Sequence, residues 1–289
     1  MPPVAVVADT TAYLPRELVA ANAITLVSLY VNFSVERSER EAELSDLDLF
    51  YDELCSVERL PTTSQPSVGD FVAAFEPLLA AGKDIVSIHL SEALSGTCAA
   101  ARQAATAVRR DSNGGGRIEV IDSRTAAGGL GLLVLAAARR ARAGGDLDAV
   151  VDAVAETRDE LKMWCAVDTL EFLKRGGRIG AVGAWIGSTL KVKPILTVES
   201  ELAPVERVRT SARAFERMVD YARQRQESGA DGWIVQHIQA PDEADRLAAR
   251  CREIFGNEPL FVSELGPVIG VHIGPGLLGI GAVPARFVR

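Results

Sequence analysis

The stretch DIVSIHLSEALSGT, residues 84–97, contains the transition that decides the fold. Residues 84–90 alternate and are rich in β-branched side chains, which predicts a buried strand. A short polar loop follows, and an alanine-rich helix is predicted over residues 97–109. The same order then repeats, with a strand at residues 118–121 and a long Ala/Leu helix at residues 125–143. Strands that alternate with helices predict a parallel sheet with right-handed βαβ connections.

The first part of the chain begins with the same alternation and then departs from it. An apolar run at residues 4–8 predicts a strand, and the amphipathic segment that continues to residue 21 predicts a helix. Residues 24–33 have strand character. The charged stretch at residues 34–43 indicates a solvated loop, because its side chains show no apolar period.

Two helices are predicted between this loop and the central strand. The first begins near Ser45. Three of its apolar side chains are expected to face the core: Leu49, Phe50 and Leu54. The second extends to about residue 81, and its start has the capping-box spacing because Ser67 is followed three residues later by Asp70.

The pattern changes after residue 160, where we place a domain boundary. Residues 1–160 are predicted to form an N-terminal α/β domain with a parallel βαβ sheet. Residues 161–289 are predicted to form a C-terminal mixed α+β domain. In this second half, strand candidates at residues 193–198 and 202–207 are close enough to indicate a hairpin. The expected fold class is therefore α/β with two domains.

Composition and charge exclude several classes of protein. Of the 289 residues, 31 are basic and 39 are acidic, so the net charge is −8. Because there is no global positive field, neither nucleic acid nor an anionic membrane surface is expected as a partner. The most apolar stretch, residues 128–138, is far shorter than the roughly 20 residues that span a bilayer. Since the chain also starts without a basic segment followed by a long apolar run, we expect a cytoplasmic protein without integral membrane association.

The sequence contains no recognisable metal or nucleotide motif. The four cysteines are scattered, with no Cys-x-x-Cys pair and no histidine at metal-ligand spacing, so we predict neither a metal site nor a bound cofactor. Residues 274–279 match the dinucleotide fingerprint, but only ten residues follow them, too few for the helix and βαβ unit that the motif requires. A P-loop sequence is absent as well, which argues against ATP binding by that route.

Two polar loops are candidates for binding an anion. Ser95 and Gly96 lie where the central strand leads into a helix, and the free N–H groups of a helix N-terminus attract a carboxylate or phosphate. Thr62 and Thr63 lie in another loop before a helix, with hydroxyls able to donate to the same anion. The structural alternatives are an N-cap for Ser95 and a hydroxyl-stabilised turn for the threonines. Loops after parallel strands converge on one crevice, which favours a shared site.

The remaining candidates are one histidine and two groups of basic residues. His272 is flanked by Gly270 and Gly274, which let a ligand approach the backbone closely; a role in the core is the alternative. The turn at residues 174–178 is either a solvated loop or a cationic contact for an acidic ligand or partner. A second basic group consists of Arg207, Arg209 and Arg213.

Several short strings occur in a fixed order along nearly the whole chain. They are Asp9-Thr10-Thr11-Ala12, Thr63-Ser64-Gln65-Pro66-Ser67, Leu94-Ser95-Gly96-Thr97, Val120-Ile121-Asp122-Ser123, Asp168-Thr169-Leu170-Glu171-Phe172-Leu173, Gly176-Gly177-Arg178-Ile179, Lys193-Pro194-Ile195-Leu196 and Gly266-Pro267-Val268-Ile269-Gly270. In order and spacing, this set resembles the DegV family of bacterial fatty-acid-binding proteins. Characterised members of that family serve as the FakB subunit of a fatty acid kinase.

The resemblance implies a two-domain α/β protein that buries one long-chain fatty acid between its domains. By motif position, it implies that Thr63 and Ser95 are carboxylate-binding hydroxyls and that His272 is the third polar contact. It also implies that either Arg175 or Arg178 lies near the head group. Affinity would come from the tail, because each buried methylene contributes about 0.8 kcal/mol.

The family role implies a division of labour with a kinase. The kinase subunit supplies ATP and magnesium and phosphorylates the bound acid to an acyl phosphate, so the resemblance implies a carrier with no catalytic residues of its own. It further implies that Arg209 is a surface contact for the kinase subunit. This chain departs from the usual family pattern at residues 9–14 and 34–43, which bears on the pocket entrance and on ligand choice.

The sequence is also compatible with two other functions. One is a self-sufficient acyl hydrolase or transferase that uses Ser95 with His272, although Ala93 stands where a nucleophile elbow requires glycine. The other is a lipid sensor that regulates a protein partner without phosphoryl transfer. Turnover of acyl esters without a partner would favour the first, and ligand-dependent binding to a protein other than a kinase would favour the second.

Overall fold

The computed structural model of the chain describes residues 2–111, 116–185 and 192–289. The strands are β1 (Val4–Asp9), β2 (Thr25–Val27), β3 (Tyr30–Asn32), β4 (Ser38–Arg40), β5 (Thr62–Ser64), β6 (Asp84–His89), β7 (Ile118–Asp122), β8 (Lys162–Ala166), β9 (Lys193–Glu199), β10 (Glu201–Val208), β11 (Gly232–His237), β12 (Phe261–Glu264) and β13 (Leu278–Val283). The helices are α1 (Arg16–Ala21), α2 (Leu47–Ser56), α3 (Val68–Ala80), α4 (Thr97–Asp111), α5 (Gly128–Arg142), α6 (Leu147–Glu160), α7 (Glu171–Arg175), α8 (Ser211–Glu227), α9 (Pro241–Phe255) and α10 (Pro267–Ile273). Within these ranges, no helix combines the length and the apolar character that a membrane span requires.

The N-terminal sheet is parallel, with the strand order β2-β1-β6-β7. Successive side chains of its central strands point to opposite faces. Val7 and Ile85 pack with Phe71 of α3 on one face, whereas Val6 lies on the other face, in the cluster that contains Leu130 of α5. Both faces are therefore covered by helices, and the predicted parallel βαβ sheet is confirmed.

The C-terminal sheet is mixed and has the order β10-β9-β8-β13-β11-β12. Only β11 and β12 pair in parallel, and the predicted hairpin is present as the antiparallel pair β9 and β10. Helices α8 and α9 cover one face, and the opposite face is directed toward α5. The α/β fold class is thus confirmed. One continuous apolar cluster contains Ile88 and Leu130 from the first part of the chain and Ile234 from the second. The division into two domains at residue 160 therefore stays a prediction.

Residues 24–43 differ from the sequence prediction. The single strand expected over residues 24–33 is two strands, since β2 joins the parallel sheet and β3 joins a small antiparallel sheet of order β4-β3-β5. The expected solvated loop contributes β4 and places Glu41 inside the protein, where the residue is only 6% exposed. A loop is predicted because the stretch has no apolar period. The prediction is wrong here, since the buried side chain is a carboxylate and leaves no such period in the sequence.

Local caps and faces of the helices agree with the sequence in most places. Ser67 Oγ accepts a hydrogen bond from the Asp70 backbone, and the Asp70 carboxylate accepts one from the Ser67 backbone, so the predicted capping box is confirmed. In α2, Phe50 and Leu54 are buried as predicted. Leu49 is 65% exposed, and the prediction is wrong for this residue because the inward face of α2 does not include it.

Gly131 lets α5 lie close to the loop after β1. A Cβ atom at Gly131 would stand 2.9 Å from the carbonyl oxygen of Ala12 and 3.2 Å from Phe261 Cζ. We therefore expect Gly131→Ala to lower the free energy of unfolding by about 1–3 kcal/mol through overpacking, although alanine has the better helix propensity. Gly69→Ala in α3 is the matched control, because a Cβ there would meet only Ser67 Oγ at 3.6 Å. Urea unfolding of both variants tests this, and equal effects would contradict it.

Candidate functional site

A cavity lies between the loops of the parallel sheet and the C-terminal sheet. It contains about 1030 Å³ of space free of protein atoms, open space at its mouth included. Polar residues are gathered at one end, where Thr63, Ser95 and His272 line the wall. Most of the remaining wall is apolar and includes Leu90, Ala126, Met163, Val198, Ile234 and Ile280.

Gly279 of the central strand β13 lines the floor of the cavity. It pairs with Cys165 of β8 on one side and with Gln236 of β11 on the other. The three atoms nearest to a Cβ at Gly279 all belong to β8, namely Cys165 Cβ and the Trp164 carbonyl oxygen at 3.3 Å and Cys165 Cα at 3.8 Å. The closest neighbours of this position therefore lie within the sheet, and a larger side chain here would project from the floor into the cavity.

The polar end joins residues from distant parts of the sequence. Thr63 lies on β5, and its Oγ1 is 2.8 Å from Nε2 of His272 on α10. Ser95 lies just before α4, and its hydroxyl is 2.9 Å from the hydroxyl of Thr97. Gly96 also lines the cavity. The structure thus brings together four of the predicted residues, Thr63, Ser95, Gly96 and His272.

The environment of His272 favours an uncharged imidazole. Burial, and then the nearby Arg178 guanidinium, lower the pKa of His272 to about 4. Its Nδ1 atom is buried and has no hydrogen-bond partner in the part of the chain that the structure describes. Gly176 leaves room beside this atom, since a Cβ there would stand 2.5 Å from Nδ1. At neutral pH, His272 therefore offers a neutral hydrogen-bonding group rather than a positive charge.

The lowered pKa of His272 predicts a pH-dependent loss of stability in the ligand-free protein. In the unfolded chain, this imidazole binds a proton as the pH falls below about 6.5. In the folded protein, it binds the proton only near pH 4. His272 therefore reduces the free energy of unfolding across this range, by at most about 1.4 kcal/mol per pH unit. Relative to His272→Gln, the unsubstituted protein should lose stability between pH 6.5 and 4 in urea unfolding. Parallel pH curves for the two proteins would contradict this.

The structure distinguishes between the candidate residues that sequence analysis left together. Both arginines are exposed, but Arg178 lines the cavity near His272, whereas Arg175 lies outside the lining and donates to the carbonyl oxygen of Glu58 at 2.5 Å. Thr62 is also exposed and lies outside the cavity lining. Since successive side chains of a strand point to opposite faces, Thr63 on β5 points inward and Thr62 points away. The positions of Arg175 and Thr62 give no support to their predicted contact with a ligand.

The basic group after β10 lies on the surface, away from the cavity lining. Arg209 and Arg213 are exposed at the junction between β10 and α8. The guanidinium of Arg207 is 5.0 Å from the ring centroid of Trp185, a cation–π contact. This surface is therefore available to a partner, and nothing in its geometry connects it with the polar end of the cavity.

Sequence reasoning missed the groups that hold the helix carrying His272. The Glu41 carboxylate accepts hydrogen bonds from the Val268 backbone at 2.8 Å and from the Tyr13 hydroxyl at 2.6 Å. The Tyr13 oxygen in turn accepts one from the Ile269 backbone at 3.1 Å. Burial raises the pKa of Glu41. These contacts fix the start of α10, and no signal in the charged stretch around Glu41 pointed to them.

Asp9 holds the end of the central strand before the Ser95 loop. Its carboxylate accepts a hydrogen bond from the Leu90 backbone at 3.0 Å and lies 3.1 Å from His89 Nδ1. His89 Nε2 is 2.7 Å from the Ser87 hydroxyl. All three side chains are fully buried, so this Ser-His-Asp arrangement has no access to a substrate. Its role is to position the loop that follows.

The geometry does not pair Ser95 with His272 as nucleophile and base. Among the residues described, the Ser95 hydroxyl is bonded to Thr97 and the His272 ring to Thr63. A hydrolase requires the base to lie within hydrogen-bond reach of the nucleophile. No group of three or more His, Cys, Asp or Glu side chains in the described ranges is placed to hold a metal ion. The arrangement thus places hydrogen-bonding groups at this end of the cavity without joining Ser95 to His272.

Comparison with known proteins agrees with this fold and with the motifs. A family model described as an uncharacterised protein of the DegV family matches residues 3–285. A DegV domain-containing protein of Streptomyces coelicolor is 40% identical over 284 residues, which cover 96% of this chain and 97% of that protein. The solved structure of DegV from Bacillus subtilis, described as a fatty acid binding protein, has a TM-score of 0.88 and 33% identity, covering 98% of this chain and 100% of that one. A solved DegV family protein from Thermus thermophilus, described by its fatty acid binding, has a TM-score of 0.86 and 32% identity, covering 97% and 99% of the two chains. The chain therefore belongs to the DegV family.

Proposed function

We propose that this protein binds one long-chain fatty acid in the cavity and presents its carboxylate to a partner kinase, which phosphorylates it to an acyl phosphate. The observation that carries the proposal is the polarity of the cavity: Thr63, Ser95 and His272 gather at one end, and most of the remaining wall is apolar. The two solved relatives described as fatty-acid binding support the same ligand class.

The proposed ligand matches the distribution of polar and apolar groups. A dozen buried methylenes contribute on the order of 10 kcal/mol before the cost of association. The tail therefore supplies most of the affinity. The hydroxyls of Thr63 and Ser95 donate to the carboxylate, neutral His272 completes its hydrogen bonds, and Arg178 supplies positive charge nearby. These groups fix the position and orientation of the head group.

The head-group end also borders the protein surface, which supports presentation to a partner. Ser95, Gly96 and Arg178 line both the cavity and an adjoining surface pocket that includes Glu92 and Glu201. A carboxylate oxygen held here can attack the terminal phosphorus of ATP bound to the kinase. The P–O bond to ADP then breaks, and acyl phosphate and ADP are the products. A positioned oxygen is the main requirement for such a transfer.

The rest of the proposal concerns the partner and the organisation of the chain. We assign the kinase contact to Arg209, which is exposed beside Arg213 on the surface after β10. The kinase supplies ATP and magnesium, and this chain acts as a carrier without catalytic residues or a cofactor of its own. Because the reaction consumes ATP, we place it in the cytoplasm. The cavity then lies between a domain of residues 1–160 and a domain of residues 161–289.

Reconstitution with a fatty acid kinase catalytic subunit tests this proposal. The delipidated protein is mixed with hexadecanoic acid, ATP, Mg²⁺ and the kinase subunit, and acyl phosphate is trapped with hydroxylamine as the hydroxamate. Product is expected only when all components are present. Hydrolysis of acyl esters by the chain alone would favour a hydrolase and overturn the proposal. Fatty acid binding without any acyl phosphate would favour a lipid sensor.

A further inference from the structure

We propose that the apolar end of the cavity recognises an oxygen atom on the acyl chain, such as a hydroxyl or oxo group, through the amide of Gln236. The inference rests on the proposed function, because it assumes that a fatty acid occupies the cavity. It goes further by naming the class of acyl chain that the site prefers.

Gln236 is a buried polar residue in an otherwise apolar floor. It lies on β11, is 2% exposed and lines the cavity. Its neighbour across the sheet is Gly279, and Cys165 is next in the same row. Ile234 and Met163 line the adjacent row. An alkyl chain on this floor would lie against the amide.

The amide of Gln236 is held in place by two hydrogen bonds and retains capacity for more. Its Oε1 accepts from the Gly128 backbone at 2.6 Å, and its Nε2 donates to the Ser263 hydroxyl at 3.0 Å. A primary amide carries two N–H donors and an oxygen with two lone pairs. In the described part of the chain, one donor and one lone pair of Gln236 therefore have no partner. The two bonds hold the amide at the edge of the cavity that Gln236 lines.

Capping of α5 explains only part of this arrangement. Ala127, the residue before α5, has a φ of 52° and no side chain that could cap the helix, so the bond from Gly128 to Gln236 takes that role. Capping needs the carbonyl oxygen alone. It leaves the second N–H of the amide unused, and an unpaired N–H costs free energy when an alkyl chain excludes water from it.

An unpaired hydroxyl lies next to the same turn of α5. Thr125 is 2% exposed, and its hydroxyl has no hydrogen-bond partner among the residues described. A Cβ atom at Gly129 would clash with both Thr125 Oγ1 and Met163 Sδ, so the thioether of a cavity-lining residue adjoins this hydroxyl. The partly bonded amide of Gln236 and the hydroxyl of Thr125 thus flank the first turn of α5. Of the two residues, Gln236 lines the cavity, so an oxygen on the acyl chain at this depth would meet its amide.

The charge of this region favours a neutral oxygen over a carboxylate. Burial raises the pKa of the Cys165 thiol to about 12, so it is uncharged at neutral pH. Met163, Ile234 and Gly279 carry no charge either. The guanidinium of Arg178 lies at the other end, near His272. The carboxylate of a ligand is therefore expected beside His272, and a hydroxyl or oxo group beside Gln236.

Binding measurements with matched ligands test the inference. Delipidated protein and Gln236→Met, which keeps a side chain of similar length, are titrated with octadecanoic, 10-hydroxyoctadecanoic and 12-hydroxyoctadecanoic acids. The unsubstituted protein should bind at least one hydroxy acid about tenfold more tightly than octadecanoic acid. Gln236→Met should lose this preference and still bind octadecanoic acid.

The outcomes separate this inference from the proposed function. A preference of the unsubstituted protein for octadecanoic acid over both hydroxy acids, or equal affinity for all three, would overturn the role of Gln236 and leave fatty acid binding intact. Failure to bind any of the three acids would overturn the proposed function itself. Since the comparison of ligands on the unsubstituted protein decides the question, the result stands even if Gln236→Met does not fold.

Discussion

Gly279→Val is expected to weaken fatty acid binding at least about a hundredfold while the protein remains folded. The added side chain would project from β13 into the floor of the cavity, where the atoms nearest to the new Cβ belong to the neighbouring strand β8. Displacing three or four methylenes of the acyl chain costs about 0.8 kcal/mol each. Displacement of a fluorescent fatty acid measures the change in affinity.

Two further variants make this result interpretable. Ala203→Val on the strand β10 is the matched control, because it adds a β-branched side chain to a strand position outside the cavity lining. It should leave affinity unchanged. Ala126→Phe fills the cavity from the opposite side and replaces Gly279→Val if the latter fails to fold. Unchanged affinity in folded Gly279→Val would show that the ligand does not occupy this floor.

Ser95→Ala and Thr63→Val are each expected to reduce fatty acid affinity about tenfold to a hundredfold, and to reduce acyl phosphate formation about a hundredfold beyond that loss. Loss of one hydrogen bond to a charged carboxylate costs about 1.5–3 kcal/mol in binding. A displacement of the reacting oxygen by about 1 Å can cost a hundredfold in rate. Transfer should therefore suffer more than binding. Hydroxamate trapping in the presence of the kinase subunit measures the rate, and direct titration measures the affinity.

Thr62→Val is a closely matched control for the head-group variants. It removes the same hydroxyl from the neighbouring residue of β5, on the side that points away from the cavity. It should change neither transfer nor affinity. If Thr62→Val and Thr63→Val had equal effects, the hydroxyl of Thr63 would not be a specific contact. If transfer and affinity fell in equal proportion, the hydroxyls would serve binding alone.

Local sequence patterns predicted most of the elements but not every pairing between them. Residues 84–90 reveal a buried strand because β-branched and other apolar side chains dominate the segment. Residues 24–33 also have strand character, yet their division between two sheets depends on partners far away in the chain. Strand β13 escaped prediction because Gly279 and Gly281 interrupt the alternation that marks a strand. Gly279 lines the cavity, whereas Gly281 is required by close packing, since a Cβ there would stand 2.8 Å from Met163 Cγ.

The candidate site shows the same difference between local and long-range information. Ser95 stood out because it is a polar residue between a predicted strand and a predicted helix. His272 stood out because it is an ionisable residue flanked by glycines. The contrast between Thr62 and Thr63 could not be predicted, because it depends on which face of β5 meets the cavity. Gln236 and Glu41 gave no signal: one lies in a segment that resembles an ordinary buried strand, and the other lies in a charged stretch. Their roles depend on Gly128 and Val268, which are distant in sequence.

Mass spectrometry of lipid extracted under denaturing conditions from the protein as purified from cells tests the central claim most directly. The account predicts close to one long-chain fatty acid per chain, and a much lower amount from Gly279→Val purified in parallel. A protein that yields no fatty acid, and that remains empty after incubation with long-chain fatty acids, would contradict the claim.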